Sequence, residues 1–563
     1  MEFIQRVTDF LTTNVVERGI SIGGEQIPFM VIILLGIGTY LTLRLGLVQI
    51  RRLGHGIAVA TGRYDNPEDE GDVTHFQALT TALSATVGIG NIAGVALAIH
   101  WGGPGALFWM WVTAALGMAT KYSEVTLAQR YRVREHEGEW AGTVSGGPMY
   151  YIERGLGPKW KWMAVFFAFV LGITAFLTGN GIQANTVADN LLTEFSIPKT
   201  VSGLVTSGVV ALVILGGISR IGRVTGVLAP VMAVVYVTGA MIVLILNAGD
   251  IFPTFGLIFR EAFNPTAGVA GTGVGAFLVT LMWGVRRGLF SNEAGQGSAP
   301  IAHSAAKTDE PVSEGVVALL EPFIDTIVIC TMTGLLVIMT GVWNDRFETE
   351  ITLDGGDISY RAVQVDGAYA NVSPTNTIRI EDGMHVGTGP SDPQVSWHEV
   401  PVVQLYVDED RTQLFTGTVD PVAGSATGDD GQSYTSLHGM AVESGAPLTM
   451  AAFRRGLSPL GDWGHYIVVI SVLLFAISTA ISWSYYGDRC ANYLFGARAV
   501  KPYKIAFVIT HFIGAVLPLG VIWAMGDVLL AIVIWPNLIA LGLLAPKVVE
   551  MTRDYFERRP WER

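Results

Sequence analysis

The stretch Ala82–Gly105, ALSATVGIGNIAGVALAIHWGGPG, decides the fold of this chain. Its flanks are apolar enough for a membrane helix, but a cluster of glycines and polar residues interrupts the middle. The cluster consists of Thr86, Gly88, Gly90, Asn91 and Gly94. Glycine weakens a helix and asparagine leaves polar atoms in hydrocarbon. The stretch therefore predicts a helix that breaks within the membrane, where unwound backbone lines a polar cavity.

A second stretch, Trp283–Gly297, has the same features further along the chain, WGVRRGLFSNEAGQG. Two glycine-interrupted hydrophobic segments in corresponding halves of a sequence are typical of a transporter with its binding site at the bilayer midplane. Gly284 and Gly288 would let the backbone approach a ligand closely, as Gly88 and Gly90 would in the first stretch. Any one of these glycines could instead serve tight helix packing.

Composition places the chain among multi-span membrane proteins. Of its 563 residues, 50% are apolar and 15% are charged, and the mean hydropathy is +0.45. A chain of this kind is too hydrophobic for an ordinary soluble enzyme. The sequence contains no nucleotide-binding, zinc-binding or nucleophile motif, so we expect neither an enzyme nor an ATP-driven pump. We also expect no nucleic-acid partner.

Eleven windows are apolar over about 20 residues, the length that spans a bilayer as a helix. They lie near 28–48, 78–100, 104–128, 162–188, 201–218, 224–247, 272–290, 314–342, 463–486, 503–523 and 526–546. Basic residues fall on alternate loops, and the positive-inside rule makes those loops cytoplasmic. We therefore predict a multi-pass protein of the cell membrane, with its N-terminus outside and its C-terminus cytoplasmic.

Counting these windows predicts an inverted repeat. If the first window is set aside, five precede and five follow the loop near 248–271, and each set opens on an interrupted segment. With an odd number of spans in each half, the second half starts on the opposite side of the membrane. That is the 5+5 inverted arrangement of many transporters.

An acidic insert separates the eighth and ninth windows. Between Asp345 and Glu443 there are 17 acidic residues and four arginines, a difference of −13 that equals the net charge of the whole chain. Runs such as ISYRAVQV and VPVVQLYV alternate with period two, which favours short strands in an extracellular β domain. A long, partly disordered loop is the alternative. The predicted boundaries are an N-terminal interfacial segment at 1–27, spans 1–8 at 28–343, the insert at 344–458, spans 9–11 at 459–548 and a cytoplasmic tail at 549–563.

The sequence contains four long motifs, FQALTTALSATVGIGNIAGVA (76–96), GGPGALFWMWVTAALG (102–117), RRGLFSNEAGQGSAPIAHSAAKTDEP (286–311) and FAISTAISWSYYGDRC (475–490). In this order they resemble the alanine or glycine:cation symporter family of sodium-coupled amino-acid carriers. The resemblance covers about 28–343 and 459–555. It implies an all-α fold of the leucine-transporter type, within the amino acid–polyamine–organocation superfamily. It also implies alanine or glycine as cargo and Na⁺ as coupling ion, but it implies nothing about the acidic insert.

The resemblance and the residue chemistry together predict the substrate site. Free N–H groups at a helix break would face the cargo's carboxylate, and free carbonyls would face its ammonium group and Na⁺. The predicted substrate-binding residues are Thr86, Gly88, Gly90, Asn91, Gln183, Trp283, Gly284, Gly288, Thr479 and Trp483. Gln183 could instead form only an interhelical hydrogen bond, and Trp483 could serve only packing.

The predicted Na⁺ site uses oxygen atoms, because Na⁺ is a hard cation that takes several of them. Ser478 and Thr479 lie on one late span and offer hydroxyls. The carbonyls of Ser84 and Val87 would complete the shell, by analogy with a sodium site shared within the implied fold. Membrane serines and threonines often bond the carbonyl one turn back instead.

Charged residues bracket the second interruption. Arg286, Arg287 and Glu293 would be costly in the membrane unless they are paired. We expect Glu293 to pair with a basic group near the cytoplasmic gate, or to form a purely structural ion pair.

The favoured function is import of a small neutral amino acid by sodium-coupled alternating access. A proton-coupled carrier, or a carrier of another amino acid, is the first alternative. A membrane sensor that binds its ligand through the extracellular insert is the second.

Overall fold

The computed structural model describes residues 7, 10–22, 25–66, 68–135, 142–265, 274–353, 358–363, 369–371, 377–387, 392, 394–398, 400–420, 423–517 and 520–562. Most of these residues are helical. The principal helices are α1 (Phe29–Arg44), α2 (His75–Thr86), α3 (Gly90–Gly102), α4 (Ala106–Tyr131), α5 (Pro158–Phe195), α6 (Lys199–Ile214), α7 (Gly217–Leu246), α8 (Val274–Asn292), α9 (Ala299–His303), α10 (Pro311–Met339), α11 (Gly445–Gly456), α12 (His465–Phe495), α13 (Val500–Val516) and α14 (Gly520–Arg558). Shorter helices are Thr12–Val16, Val48–Arg51, Leu53–Ala60, Pro148–Gly155 and Ile251–Phe263, with 3-10 turns at Ala248–Asp250, Val342–Asn344, Ser458–Leu460, Ala497–Ala499 and Pro560–Glu562.

Helices coincide with the apolar windows, as expected where the backbone must satisfy its own hydrogen bonds. Among the described residues, six helices are long and apolar enough to cross a membrane, or seven if α2 and α3 form one bent span. The chain is therefore a polytopic membrane protein. Residues 272 and 273, at the start of the seventh window, lie outside the described residues.

The two interrupted segments lie at the centre of the bundle. Helices α2 and α3 meet at an angle of 55°, and α2 packs between α7 and α12. Helix α8 packs against α3 and α4. This packing brings both breaks into the protein interior, which is where unwound backbone can be tolerated at membrane depth.

The described part of the insert contains short antiparallel strands in sheets of three, four and five strands, followed by helix α11. The strands are Arg346–Thr352, Ile358–Val363, Tyr369–Asn371, Ile378–Glu381, Met384–His385, Gln394–Trp397, Val400–Pro401, Leu405–Tyr406, Gly417–Asp420, Ser425–Gly428, Ser433–Tyr434 and Ser436–Val442. In Ser436–Val442 every second residue is buried, because side chains alternate between the two faces of a strand. These side chains join a core that includes Ile351 and Phe415.

The insert contacts the end of the first interrupted segment. The backbone carbonyl of His398 lies 2.8 Å from Nε2 of His100, at the end of α3. Burial lowers the pKa of His398 to about 4, so this imidazole is neutral at pH 7. From α11, the Thr449 hydroxyl donates to the Ile92 carbonyl at 3.0 Å. The segment after the break therefore has partners on both the strands and α11.

Only part of the N-terminal segment at 1–27 can be compared with its predicted position on the membrane surface. Residues 1–6, 8, 9, 23 and 24 of that segment lie outside the described residues. The rest contains the helix Thr12–Val16 and a hairpin of Gly19–Ile22 with Glu25–Pro28. Thr12 and Val16 line a cavity together with residues of α8, so this part packs against the bundle.

Elsewhere in the described chain, a short strand pair, Val133–Arg134 with Val144–Ser145, follows α4.

Candidate functional site

A small enclosed cavity lies between the two breaks. Its lining residues are Ala85, Thr86, Gly88, Ile89, Gly90, Thr178, Gln183, Phe290, Glu293, Gln296, Thr479, Trp483 and Leu530. Six predicted substrate-binding residues and Glu293 are in this set. The cavity volume open to water-sized molecules is about 20 Å³, room for only about one or two waters. A molecule larger than one or two waters would fit only if the walls moved apart.

Asn91 holds the first break in place. Helix α2 ends at Thr86. The side-chain amide oxygen of Asn91 accepts a hydrogen bond from the Gly88 N–H at 2.8 Å. The Asn91 amide nitrogen donates to Asp325 Oδ1 at 2.6 Å and to Ser291 Oγ at 3.1 Å. Asn91 therefore connects the backbone of the first break to Ser291 and Asp325. It is not among the residues that line the cavity.

The second break is further along the chain than its glycines indicate. Helix α8 is continuous to Asn292, and the turn that follows has positive φ angles at Glu293 (54°), Gly295 (92°) and Gly297 (77°). From α14, the Asn537 side chain donates to the Gly295 carbonyl at 2.8 Å and also bonds Glu124. The non-helical backbone of the second break therefore lies at 293–298.

The prediction of unwound backbone at Gly284 and Gly288 is wrong. Both lie inside α8, where a Cβ on Gly284 would be 2.4 Å from the Ala106 carbonyl oxygen and one on Gly288 would be 3.1 Å from Thr113 Cβ. Their missing side chains let α8 pack closely on α4, which is the helix-packing role of small residues. Neither glycine is among the cavity-lining residues.

Gln183 and Thr178 present polar atoms to the cavity. Both lie in α5, where a π-helical turn at Leu177–Gly181 interrupts the regular helix, a feature frequent at functional sites. Gln183 donates to the Thr178 carbonyl at 3.1 Å. The side-chain amide oxygen of Gln183 and the hydroxyl of Thr178 are buried, and no hydrogen-bond partner is found for either among the described residues. Because such atoms are costly to leave unsatisfied, a polar ligand would stabilise them.

The asparagines beside Gln183 face away from the cavity. Asn180 donates to the Phe507 carbonyl at 2.7 Å, and Asn185 donates to the Leu517 carbonyl at 3.1 Å. Asn180 therefore connects α5 to α13, and Asn185 connects α5 to Leu517, the residue that follows α13.

Three of the four predicted cation-binding residues, Ser84, Ser478 and Thr479, contact one another at the end of α2. The hydroxyls of Ser478 and Thr479 lie 3.3 and 3.1 Å from the Ser84 carbonyl oxygen. Val87 is the first residue beyond α2, with ψ of 92°, so the helix is already broken there. Ser478 also bonds the Phe475 carbonyl of its own helix at 2.8 Å. Hydroxyl and carbonyl oxygens of this kind are the ligands that Na⁺ prefers.

Trp483 forms one wall of the cavity. Its side chain is 2% exposed, and a Cβ added to Gly179 would be 2.4 Å from the indole. The glycine therefore makes room for the indole against α5.

Trp283, Arg286 and Arg287 line a separate vestibule next to the cavity. It has a volume of about 270 Å³ and shares Phe290, Gln296 and Leu530 with the cavity. Trp283 stacks on Trp101 with ring centroids 5.3 Å apart, and the Arg287 guanidinium lies 5.5 Å from the Phe290 ring centroid. Phe290 therefore separates the two spaces.

Glu293 is not in this vestibule. It accepts a hydrogen bond from the Ser298 hydroxyl and lies among the residues of the inner cavity.

Asp325 is a buried residue to which the sequence analysis assigns no role. It lies in a π-helical part of α10, Phe323–Cys330, and its side chain is fully buried. Its carboxylate accepts hydrogen bonds from Asn91, from Ser291 at 2.6 Å and from Thr326 at 2.7 Å. It therefore connects the residues that flank both breaks.

The sequence analysis also missed four residues that line the cavity, Phe290, Thr178, Gln296 and Leu530, because no local pattern distinguishes them from packing residues.

Comparison with known proteins places most of the chain in one family. A family model described as the sodium:alanine symporter family matches residues 11–366 and 431–562. The chain is 39% identical to the sodium/alanine symporter AgcS of Methanococcus maripaludis, over 94% of this chain and 95% of that protein. It is 31% identical to the putative sodium/proton-dependent alanine carrier protein YrbD of Bacillus subtilis, over 93% and 89%. It is 28% identical to the probable sodium/glutamine symporter GlnT of the same organism, over 97% and 92%.

Proposed function

The chain belongs to the sodium:alanine symporter family, and from that premise we propose that it imports alanine or glycine together with Na⁺. A member of this family is an amino acid:cation symporter in a membrane and not an enzyme. The identity of the cargo, the coupling ion and the residues that bind them are the parts of this proposal.

The observation that carries the proposal is the set of polar atoms around the cavity. The unsatisfied oxygens of Gln183 and Thr178 can accept hydrogen bonds from an ammonium group. Gly88 and Gly90, at the start of the segment after the first break, place backbone on the same cavity. A helix N-terminus favours a carboxylate through its free N–H groups and its dipole. A zwitterion would therefore find complementary groups at both of its ends.

The size of the cavity favours a small side chain. Phe290, Trp483 and Leu530 provide its apolar wall, and the smallest cargo needs the smallest outward movement of that wall. A cargo as long as glutamine would require a larger displacement of Trp483. This favours alanine or glycine over the larger cargo that is named for one relative.

We propose Na⁺ at the oxygens of Ser84, Val87, Ser478 and Thr479. Thr479 also lines the amino-acid cavity, so the ion and the cargo would share one residue. Shared contacts allow each ligand to favour the binding of the other, by typically about 1–3 kcal/mol. That reciprocal coupling is the requirement for symport.

The proposed architecture is eleven spans with a 5+5 inverted repeat and an inserted extracellular β domain. In this arrangement the N-terminus and the insert are outside and the C-terminus is cytoplasmic. The domain boundaries are those given at 27/28, 343/344, 458/459 and 548/549. One repeat bundle would move against the other around the two breaks, exposing the cavity to each side in turn.

Binding of tritiated alanine to the purified protein tests the proposal. We expect Gln183→Ala to weaken alanine binding by about tenfold, because a charge-assisted hydrogen bond contributes about 1.5–3 kcal/mol. A scintillation proximity assay in Na⁺ buffer measures the affinity.

Asn190→Ala is a matched control for this substitution. Asn190 lies two turns further along α5 and bonds the Thr186 carbonyl of its own helix at 2.8 Å. We expect this variant to bind alanine as the wild type does. Equal affinities for Gln183→Ala and the wild type would remove Gln183 from the site.

A further inference from the structure

A basic cavity lies between the end of α1 and the last turns of α14. The two helices pack against each other, and the cavity has a volume of about 410 Å³. Four arginines contribute to its wall, Arg44, Arg51, Arg52 and Arg553. Among the described residues that line it, Glu557 is the one acidic residue. The cavity therefore carries a net positive charge, and we call it the arginine pocket.

The arginine pocket lies at the level where both helices change from apolar to charged sequence. Helix α1 has no charged residue before Arg44, its last residue. In α14 there is none between Val528 and Pro546, and a stretch rich in charged residues begins at Lys547. Such a change marks the boundary between the hydrocarbon and the headgroups of a bilayer. The pocket is therefore at the depth of phospholipid headgroups.

Two of the arginines are held close together by partners that carry no negative charge. Arg51 donates to the Gly46 carbonyl at 3.3 Å, and the Arg52 guanidinium lies 3.7 Å from the Phe556 ring centroid. Burial, followed by repulsion from Arg51, lowers the pKa of Arg52 below its usual value. A bound anion would relieve this repulsion, because opposite charge favours the charged form of the guanidinium.

The other two arginines of the pocket are also weakly compensated. The Arg44 guanidinium lies 6.0 Å from the Tyr40 ring centroid, which is a contact without a negative charge. Arg553 Nε lies 3.5 Å from Glu557, and these two side chains are 79% and 70% exposed. Ion pairs that are this exposed contribute little. The carboxylate of Glu557 therefore leaves most of the positive charge of the pocket uncompensated.

Exposed apolar side chains adjoin the arginine pocket. Leu43 is 71% exposed, Leu47 is 46% exposed and Ile50 is 74% exposed. These three residues flank two of the pocket's arginines in sequence. A small anion from solution needs no apolar surface beside its site, whereas a phospholipid brings acyl chains next to its phosphate. The combination of charge and apolar surface therefore favours a lipid as the ligand.

We propose that the arginine pocket binds the phosphodiester headgroup of an anionic phospholipid, whose acyl chains lie along Leu43, Leu47 and Ile50. Guanidinium groups bind phosphate oxygens through paired, charge-assisted hydrogen bonds. Basic pockets between membrane helices are typical sites for anionic headgroups. A phosphatidylcholine has the same phosphate, but its choline cation would be repelled by the arginines. This inference is independent of the proposed transport function, because the pocket is remote from the cavity between the two breaks.

Native mass spectrometry of the full-length protein in a neutral detergent tests the proposal. The protein is incubated with equal amounts of phosphatidylglycerol and phosphatidylcholine that have identical acyl chains. We expect the adducts of phosphatidylglycerol to exceed those of phosphatidylcholine severalfold. Glycerophosphoglycerol, the same headgroup without acyl chains, should not displace the lipid at an equal concentration. Equal adducts of the two lipids, or full displacement by glycerophosphoglycerol, would overturn the proposal.

A double variant, Arg44→Gln with Arg51→Gln, connects the lipid to the pocket. Both side chains are exposed, and we expect the preference for phosphatidylglycerol to fall by about tenfold, because each arginine near a bilayer surface adds to the attraction of anionic lipids. A single symmetrical peak in size-exclusion chromatography shows that the variant is folded. If the double variant does not fold, Arg553→Gln serves instead. A preference equal to that of the wild type in the variant that folds would overturn the assignment.

Arg220→Gln with Arg223→Gln is the matched control. It removes the same charge from two exposed positions near the start of α7, away from the arginine pocket. We expect this variant to keep the preference of the wild type for phosphatidylglycerol. An equal loss of preference in the control would show that net charge attracts the lipid, and it would overturn the proposal of a specific pocket.

Discussion

Thr479→Val is expected to raise the Na⁺ concentration required for alanine binding by about tenfold or more, equivalent to about 1.4 kcal/mol. Valine has nearly the shape of threonine but lacks the hydroxyl that lies 3.1 Å from the Ser84 carbonyl. Because the proposed site has few oxygen ligands, the loss of one of them should strongly weaken Na⁺ binding. Alanine binding at a series of Na⁺ concentrations measures the change.

Ser471→Ala on the same helix is the control for this result. The Ser471 hydroxyl is buried but bonds the Ile467 carbonyl one turn back, at 2.7 Å. It should therefore leave the sodium dependence unchanged. A sodium titration of Thr479→Val that overlays the wild type would place the ion elsewhere.

Asp325→Ala is expected to have the largest effect on stability. It leaves donors on Asn91, Ser291 and Thr326 without their shared acceptor, at about 1–3 kcal/mol for each buried group left unsatisfied. We expect the melting temperature in detergent to fall by roughly 5 °C or more. Fluorescence-detected size exclusion after heating measures this temperature.

Asp325→Asn separates hydrogen bonding from charge in that experiment. The asparagine oxygen can still accept, and the two hydroxyls can turn to accept from its amide. We expect this variant to recover much of the lost stability. Melting of Asp325→Ala at the temperature of the wild type would show that the carboxylate does not hold the two breaks together.

Asn91 shows how the structure changes an expectation from sequence. An asparagine in a membrane segment suggests direct contact with cargo, because it has a donor and an acceptor. In the structure both are occupied, by the Gly88 N–H and by Asp325. Asn91→Ala should therefore lower the folded yield as well as any binding, a consequence that the sequence did not indicate.

The two breaks differ in how well the sequence locates them. In the first, Gly88, Gly90 and Asn91 follow directly on the end of the helix at Thr86. In the second, Gly284 and Gly288 are spaced by one turn and serve close packing against α4. The actual break follows at Glu293, where the positive φ angles begin. Glycine spacing alone does not distinguish packing from unwinding.

The remaining site residues depend on contacts that are remote in sequence. Asp325 and Asn91 are 234 positions apart, and Asn537 and Gly295 are 242 apart. No local periodicity connects such pairs, because the tertiary fold brings them together. The sequence therefore locates the helices and several polar residues of the cavity, but not the network that supports them.

The central claim is that a small amino acid and Na⁺ bind together between the two broken helices and cross the membrane together. Uptake of radiolabelled alanine into proteoliposomes, with an inward Na⁺ gradient or with choline in its place, tests it most directly. We predict that alanine accumulates only with the Na⁺ gradient. Equal accumulation in the two conditions would contradict the account.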